Sequence, residues 1–127
     1  MKIVAFIVFI AFSLTPNAPE APIGLPKAEG SRSFDMEVHQ INNLGISRYK
    51  QRHFEEALGH FHKALKLAVQ LRDPGEGILH FNYALTLHMV EKHDKAARHF
   101  LRAKALTRQN PLIQNSVILK MHTNPLK

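Results

Sequence analysis

Apolar residues recur at steps of three and four along the chain from residue 34 onward, which is the spacing of amphipathic helices. The pattern is clearest between residues 54 and 71, where one face collects Phe54, Ala57, Leu58, Phe61, Ala64, Leu65 and Ala68. Five helices are predicted, over about 34–50, 54–71, 74–90, 95–107 and 111–122. No stretch alternates with period two for long enough to predict a strand. The sequence therefore predicts an all-α fold of antiparallel helices joined by short turns.

The polar residues between these helices predict where the helices begin. Asp73 is followed by Pro74 and, after a glycine, by Glu76, which is the order of an N-cap, a first-turn proline and a capping-box acid. Asp94 is the predicted cap of the fourth helix. Asn110 and Pro111 repeat the cap-and-proline start for the fifth. Each of these three predicted helices therefore begins after a polar residue that can act as an N-cap.

The first 33 residues have a different pattern. Residues 1–14 combine Lys2 with an apolar run from Ile3 to Leu14, which is too short to cross a membrane and typical of a signal peptide. An uncleaved hydrophobic anchor is the alternative, and a misassigned start codon is a third. Residues 15–33 contain four prolines and several Gly and Ser residues, so this linker is predicted to be extended and mobile, free of contacts with the folded part. We expect an exported (periplasmic or secreted) or membrane-tethered protein, or a cytoplasmic one if the run is not a signal.

An internal repeat links the second half of the helical region to the first at a constant offset of 39 residues. The matched pairs are Gly45 and Ala84, Ala57 and Ala96, Phe61 and Phe100, and Ala64 and Ala103. Small residues at the first two pairs let the helices of a hairpin approach closely where they cross. The phenylalanines are expected to fill the wedge between one hairpin and the next. The sequence thus predicts two helical hairpins of the same design.

This pattern resembles the tetratricopeptide repeat, whose motif is W-x2-L-G-x2-Y followed by A-x3-F, A and P. The first copy supplies Ile41, Leu44, Gly45, Ala57, Phe61 and Ala64; the second supplies Tyr83, Ala84, Leu87, Ala96, Phe100 and Ala103. Ile41 and His80 stand in the Trp slot, and each copy lacks the closing proline. The resemblance implies a short α-solenoid over 34–122, with repeats at 38–71 and 77–110, a capping helix at 111–122 and a tail at 123–127. A partner or self-association could complete a stack of only two and a half repeats.

The resemblance also implies a concave groove, lined by the first helix of each repeat, that binds a partner protein or peptide. The residues expected to face it are Asn43, Ile46, Tyr49, Lys50, Asn82, Leu85, His88, Met89, Asn115 and Ile118. Asn43, Asn82 and Asn115 would form a ladder of amides able to bond a ligand backbone. The alternative is that these asparagines serve local helix packing, and the sequence does not decide between the two.

Charge adds a second candidate surface. The net charge of +7 comes from residues 92–127, where eight Lys and Arg residues face Asp94 alone. Lys95, Arg98 and Arg102 form a basic patch at helical spacing, expected on the convex face. The patch is either a solvated outer surface or a binder of an anionic membrane, an acidic protein or nucleic acid. Because no aromatic residues alternate with these cations, nucleic acid is the weakest of these partners.

Candidate catalytic chemistry is sparse. The chain has no cysteine, which excludes disulfides and thiolate sites, and its nine histidines show no i, i+4 pair with an adjacent Glu. Glu55 and Glu56 begin a helix, where acids interact favourably with the dipole. The prediction is therefore no enzyme, no metal and no cofactor. The predicted function is an exported or tethered scaffold for protein binding, and the rival is a basic binder acting through residues 92–127.

Overall fold

The computed structural model describes residues 20–26 and 33–124, with side chains from residue 36 onward in the second range. These ranges form helices and no strand, so the predicted all-α fold is confirmed for them. The helices are α1 (Ser33–Lys50), α2 (Phe54–Leu71), α3 (Glu76–Met89), α4 (His93–Leu106), α5 (Pro111–Gln114) and α6 (Val117–Thr123). The predicted signal or anchor at 1–14 lies outside the described residues, as does the end of the predicted tail.

The helices form two hairpins stacked side by side. α1 packs against α2, and α3 packs against α4, while α2 also contacts α3 and thereby joins the two hairpins. The short helices α5 and α6 follow α4, and α6 packs back on α4 as a cap. This arrangement is a short α-solenoid, as the repeat predicted. None of the helices in the described ranges has the length and apolar character needed to cross a membrane.

Close packing inside the first hairpin depends on Gly45. A Cβ atom added there would lie 2.5–2.9 Å from three atoms of the Phe61 ring. Phe61 is fully buried, as are Ala57 and Ala64 on the same helix face. The small residue therefore lets the phenylalanine of α2 reach the backbone of α1 within the hairpin. A small residue at the crossing was predicted, but Ala57 rather than Phe61 was expected opposite it.

Helix α3 is the centre of the stack, because every residue from Gly77 to Leu87 is buried. It is covered by α2 on one side and α4 on the other. On the second hairpin, the rings of Phe81 and Phe100 meet edge to face with centroids 5.9 Å apart. Polar side chains on α3 must therefore find partners inside the protein.

The first three helices end in the same way. Arg52, Arg72 and Glu91 have φ values of 65°, 53° and 63°, a left-handed conformation more usual for glycine. In each case the next residue donates its N–H to a carbonyl five residues back, as in His53 to Arg48 and Lys92 to Leu87, both at 2.9 Å. This bond pattern is a Schellman motif made without glycine, so glycine content gave no signal for it.

The predicted helix starts are confirmed in part. Asn110 caps α5, because its side chain accepts bonds from Leu112 N at 3.0 Å and Ile113 N at 3.4 Å. Asp94 as a cap is wrong: α4 begins at His93, and no side chain bonds its first N–H groups. Asp73 as the N-cap is also wrong, because α3 begins at Glu76 and Gly75 occupies the N-cap position. Asp73 instead accepts a bond from Gly75 N at 2.7 Å within the turn that precedes α3.

The single helix predicted from residue 111 to 122 is divided in two. Asn115 ends α5, and Ser116 adopts an extended conformation and caps α6 by accepting a bond from Leu119 N at 3.1 Å. A serine competes well for this role because its hydroxyl replaces the missing backbone partner. The break places the start of α6 at residues 116–118, where Ser116 and Ile118 contact the segment 20–26.

Candidate functional site

Residues 20–26, called here the inner segment, lie against the first helices of both hairpins and the capping helix. The surface formed by α1, α3 and α6 is called the groove. The inner segment has no regular secondary structure, and hydrogen bonds join it to residues of all three helices. The prediction of a free linker is therefore wrong for residues 20–26, because groove side chains satisfy its backbone.

Asn82 on α3 is the central contact. Its Oδ1 accepts from Ile23 N at 2.7 Å, and its Nδ2 donates to Ile23 O at 2.8 Å. One amide thus pairs with both polar groups of a single residue, as a neighbouring strand does in a sheet. Asn82 is fully buried, so these bonds are made out of contact with water. The side chain can pair in this way with any extended backbone except that of proline.

Asn42 on α1 completes an amide pair. Its Nδ2 donates to Ile23 O at 3.2 Å, while its Oδ1 accepts from Asn82 Nδ2 at 2.9 Å. The asparagines therefore hold each other in the orientation that meets the segment, and both are fully buried. Across the described residues, no buried side-chain nitrogen or oxygen lacks a hydrogen-bond partner. The pair thus joins α1 of the first hairpin to α3 of the second, and both helices to the inner segment.

Glu20 anchors the other end of the segment. Its carboxylate accepts bonds from the hydroxyl of Ser116 and from Ile118 N, the latter at 2.9 Å. Its backbone carbonyl accepts from the hydroxyl of Tyr49 at 3.3 Å. Burial, then the charge of Glu20, raises the pKa of Tyr49, which keeps its hydroxyl protonated as a donor. The carboxylate lies at the beginning of the capping helix, where the helix dipole favours a negative charge.

Apolar contacts cover the rest of the segment. Pro22 is buried, and Ile23 and Leu25 are partly buried against the core. A Cβ atom added at Gly75 would lie 2.8 Å from the end of the Leu25 side chain. Because each residue before a proline favours an extended backbone, Pro22 and Pro26 hold Ala21 and Leu25 in that conformation. The sequence of the segment therefore reduces the entropy lost when it lies in the groove.

The predicted groove residues differ in their exposure to solvent. Asn82 and Leu85 are fully buried and Tyr49 is buried, whereas Ile46, His88, Met89 and Ile118 are partly buried and Asn43, Lys50 and Asn115 are exposed. The structure brings Asn82, Tyr49 and the backbone of Ile118 to the inner segment. At the first step of the predicted ladder, Asn42 rather than Asn43 pairs with Asn82. Neighbouring side chains on a helix point about 100° apart, so only one of these two faces the groove.

Glu20, Asn42 and Ser116 are site residues that the sequence reasoning did not identify. Asn42 precedes a predicted site residue by one position: the repeat offset of 39 aligns Asn82 with Asn43, whereas the bond to Asn82 is made by Asn42. Ser116 follows Asn115 in the same way. Glu20 lies in the proline-rich linker, far from α6 in the sequence, so no local spacing could indicate its contact with that helix.

The basic patch is exposed on α4, and two of its three cations have partners. Arg102 lies 3.8 Å from the carboxylate of Glu76, and Lys95 lies over the ring of Tyr83 at 5.5 Å. Both cations are exposed, so each contact contributes little to stability. Arg98 is exposed as well. The patch is therefore open to solvent on a different helix from those that line the groove.

A histidine pair, of which His80 is buried and His99 partly buried, joins α3 to α4. His80 Nδ1 and His99 Nδ1 are 2.9 Å apart, so one ring donates a proton and the other accepts it. Burial, with the charge of Arg102, lowers the pKa of His80 to about 4. Burial, followed by the neighbouring His80 and Lys95, lowers the pKa of His99 to about 4. Both rings are consequently neutral near pH 7.

Comparisons with known proteins agree with the repeat. A family model described as Tetratricopeptide repeat matches residues 37–109, which covers both hairpins through the turn after α4. The search of curated proteins and the search of solved structures each gave no match. The matched range exceeds half of the chain and includes Asn42 and Asn82.

Proposed function

The chain belongs to the tetratricopeptide repeat family, and from that premise we propose that its groove binds an extended segment of a partner protein. Members of this family are generally protein-binding scaffolds rather than enzymes. The observation that carries the proposal is the pairing of the Asn82 amide with both backbone groups of Ile23. A site that already pairs with one extended segment offers the same bonds to another.

The inner segment indicates the chemistry of that partner. It presents an acidic side chain at Glu20, an aliphatic one three residues later at Ile23, and another at Leu25. The acid is bonded at the beginning of α6, the backbone of Ile23 by Asn82, and Leu25 lies against Gly75. We therefore propose a partner segment with an acidic residue three positions before an aliphatic one. Such a partner competes with the inner segment for the groove.

The basic patch remains the second candidate surface, but the groove is favoured for a specific reason. In the groove, Asn42, Asn82 and Tyr49 are buried and bonded to a polypeptide segment. The cations of the basic patch are instead exposed on α4. The proposal retains an exported or membrane-tethered location, supported by the apolar run at residues 3–14. That location would bring the groove into contact with exported partners.

The experiment uses the full chain and a labelled peptide with the sequence of residues 19–26. An Ile23→Pro substitution in the protein removes the N–H that bonds Asn82 and so weakens the inner segment. We expect the peptide to bind this variant at least tenfold more tightly than the unmodified chain. Adding Asn82→Ala should weaken peptide binding by roughly ten- to a hundredfold, because about two hydrogen bonds of about 1 kcal/mol each are lost.

The matched control is Asn43→Ala, which changes the exposed neighbour of Asn42 in the same helix. It should leave peptide affinity unchanged, as should Lys95→Glu combined with Arg98→Glu. Circular dichroism shows whether each variant is folded. Equal peptide binding with and without Asn82, or loss of binding in the Lys95 and Arg98 variant, would overturn the groove and favour the basic patch. If the peptide binds no folded variant, the inner segment is a permanent part of the fold and the proposal fails.

A further inference from the structure

Three histidines from separate helices meet beside the cap. His88 lies at the end of α3, His93 begins α4, and His122 lies on α6. One ring nitrogen from each lies within 4.8 Å of the others, and His88 Nδ1 is 2.9 Å from His122 Nε2. No metal was predicted from the sequence because its histidines form no i, i+4 pair with an adjacent Glu on one helix. Here the fold, rather than a local motif, brings the ligands together.

The distances are close to those of a metal site. Imidazole nitrogens bind Zn²⁺ at about 2.0–2.1 Å in a tetrahedron, which places two such nitrogens about 3.4 Å apart. The observed separations of 2.9 Å to at most 4.8 Å bracket that value. An ion lies in the plane of each imidazole that binds it, and the rings of His93 and His122 are nearly parallel, at 20°. At least one of these rings would therefore rotate on binding to direct all three nitrogens at one ion.

Neighbouring rings hold the cluster in place. The ring of His122 is stacked between Phe100, at a centroid distance of 5.3 Å, and His93, at 5.4 Å. The ring of His88 meets His93 edge to face at 5.0 Å. His88 and His122 are partly buried, whereas His93 is exposed. The site is thus ordered on the protein side and open to an ion on the solvent side.

We propose that His88, His93 and His122 bind one divalent transition-metal ion, with Zn²⁺ as the representative ion. Three imidazoles suit Zn²⁺, Cu²⁺ and Ni²⁺, and do not suit Mg²⁺ or Ca²⁺, which prefer oxygen ligands. Three ligands from the described residues leave at least one position of a tetrahedral ion for water or another donor. The bound ion would tie the cap to the turn of the second hairpin.

Isothermal titration of the full chain with ZnCl₂ tests the proposal. We expect one strong site per chain, and His93→Gln should weaken Zn²⁺ binding by more than about tenfold, since changes even to outer-shell groups cost that much. His93 is exposed, so this substitution is not expected to disturb folding. His122→Gln should have a similar effect. Because only the folded state holds the three rings together, Zn²⁺ should also raise the thermal unfolding midpoint of the unmodified chain and not that of His93→Gln.

His60→Gln is the matched control, because His60 is a partly buried histidine on α2, away from the cap. It should keep both the zinc affinity and the zinc-dependent rise of the unfolding midpoint. Titration with MgCl₂ should give no binding to the site. Equal zinc affinity in the His93→Gln and His60→Gln variants, or the absence of a strong site in the unmodified chain, would overturn the proposal. Its failure would leave the groove proposal standing, since that proposal rests on the bonds between Asn82 and Ile23, which involve none of these rings.

Discussion

The two hairpins share one spacing of small and aromatic residues but differ in what surrounds their first helix. In α1, exposed residues such as Asn43 and Leu44 alternate with buried ones, whereas α3 is buried without interruption from Gly77 to Leu87. The difference comes from position in the stack, since α1 lies at the outer end and α3 lies between two helices and the inner segment. Equivalent slots in a repeat are therefore not equivalent environments.

The slot of Ile41 and His80 illustrates the difference. Both residues are buried at the same place in the motif, with exposed fractions of 7% and 8%. Ile41 packs in the apolar core, whereas His80 has His99 as a polar partner at 2.9 Å. A polar side chain is tolerated at this slot only where the partner helix supplies a hydrogen bond. The second hairpin can supply it, and its stability should consequently depend on pH.

The largest expected effect concerns the helix crossing of the first hairpin. Gly45→Ala would place a methyl group against the buried ring of Phe61, and overpacking of this kind costs about 1–3 kcal/mol. We expect the urea midpoint of unfolding to fall accordingly. The control is Gly59→Ala on α2, where an added Cβ meets nothing within 4 Å. That change should instead stabilise the helix by about 0.5–1 kcal/mol. If both substitutions were stabilising, the close approach of α1 and α2 would be contradicted.

A smaller effect should come from the histidine pair, which is present in the second hairpin and absent from the first. The pair should make the free energy of unfolding depend on pH. The unfolded chain protonates its histidines near pH 6.5, whereas His80 and His99 in the folded state take up protons only near pH 4. The unfolded state therefore binds more protons in this window, and stability should decrease as the pH falls from about 7 toward 4. His80→Ile, which copies the residue of the first hairpin, should reduce this slope.

The measurement is the urea midpoint at several pH values between 7 and 5, above the range in which most carboxylates titrate. The slope should not vanish, because the pKa values of His88 and His122 are also lowered. His53→Gln, at an exposed histidine, should leave the slope unchanged. A slope identical in the His80→Ile variant and the unmodified chain would show that the histidine pair does not control the response.

The smallest expected effect lies where the hairpins are alike. Arg52 and Glu91, 39 residues apart, end α1 and α3 in the same left-handed conformation. Glycine adopts this conformation without the cost of about 1–2 kcal/mol that other residues incur. Part of this gain is offset because glycine loses more conformational entropy on folding than other residues do. Arg52→Gly and Glu91→Gly should therefore each stabilise the protein by about 0.5 kcal/mol in metal-free buffer. Unequal gains in the urea midpoint would show that the two turns differ energetically.

Much of the fold could be predicted from the sequence because the same packing residues recur in both copies of the repeat. The predicted ends of α2 match the structure at both Phe54 and Leu71, and Gly45 lies at a close helix crossing as its spacing indicated, although it meets Phe61 there. The Asp94 cap and the unbroken last helix were wrong for local reasons. At both places, several polar residues stand next to one another, and a cap depends on backbone angles that composition does not reveal.

The groove was predictable in outline and not in detail. Asn82 and Tyr49 were identified from the repeat, but the choice of Asn42 over Asn43 depends on the rotation of α1 relative to α3. The inner segment was missed because prolines and glycines usually indicate a free linker. The same prolines also preorganise a chain that lies in a groove, and only a partner surface distinguishes the two cases. The histidine cluster depends on three helices, so no local spacing could indicate it.

The inner segment ends at Pro26 and α1 begins at Ser33, so only six residues separate them in the chain. So short a tether gives the segment an effective concentration of about millimolar at its own groove. A free peptide of equal intrinsic affinity would need to reach that concentration to occupy half of the molecules. Partners that bind much more tightly, or that engage two copies of the protein at once, would be selected over weaker ones. The tether would thus set a threshold for recruitment, and its length would be the quantity that tunes it.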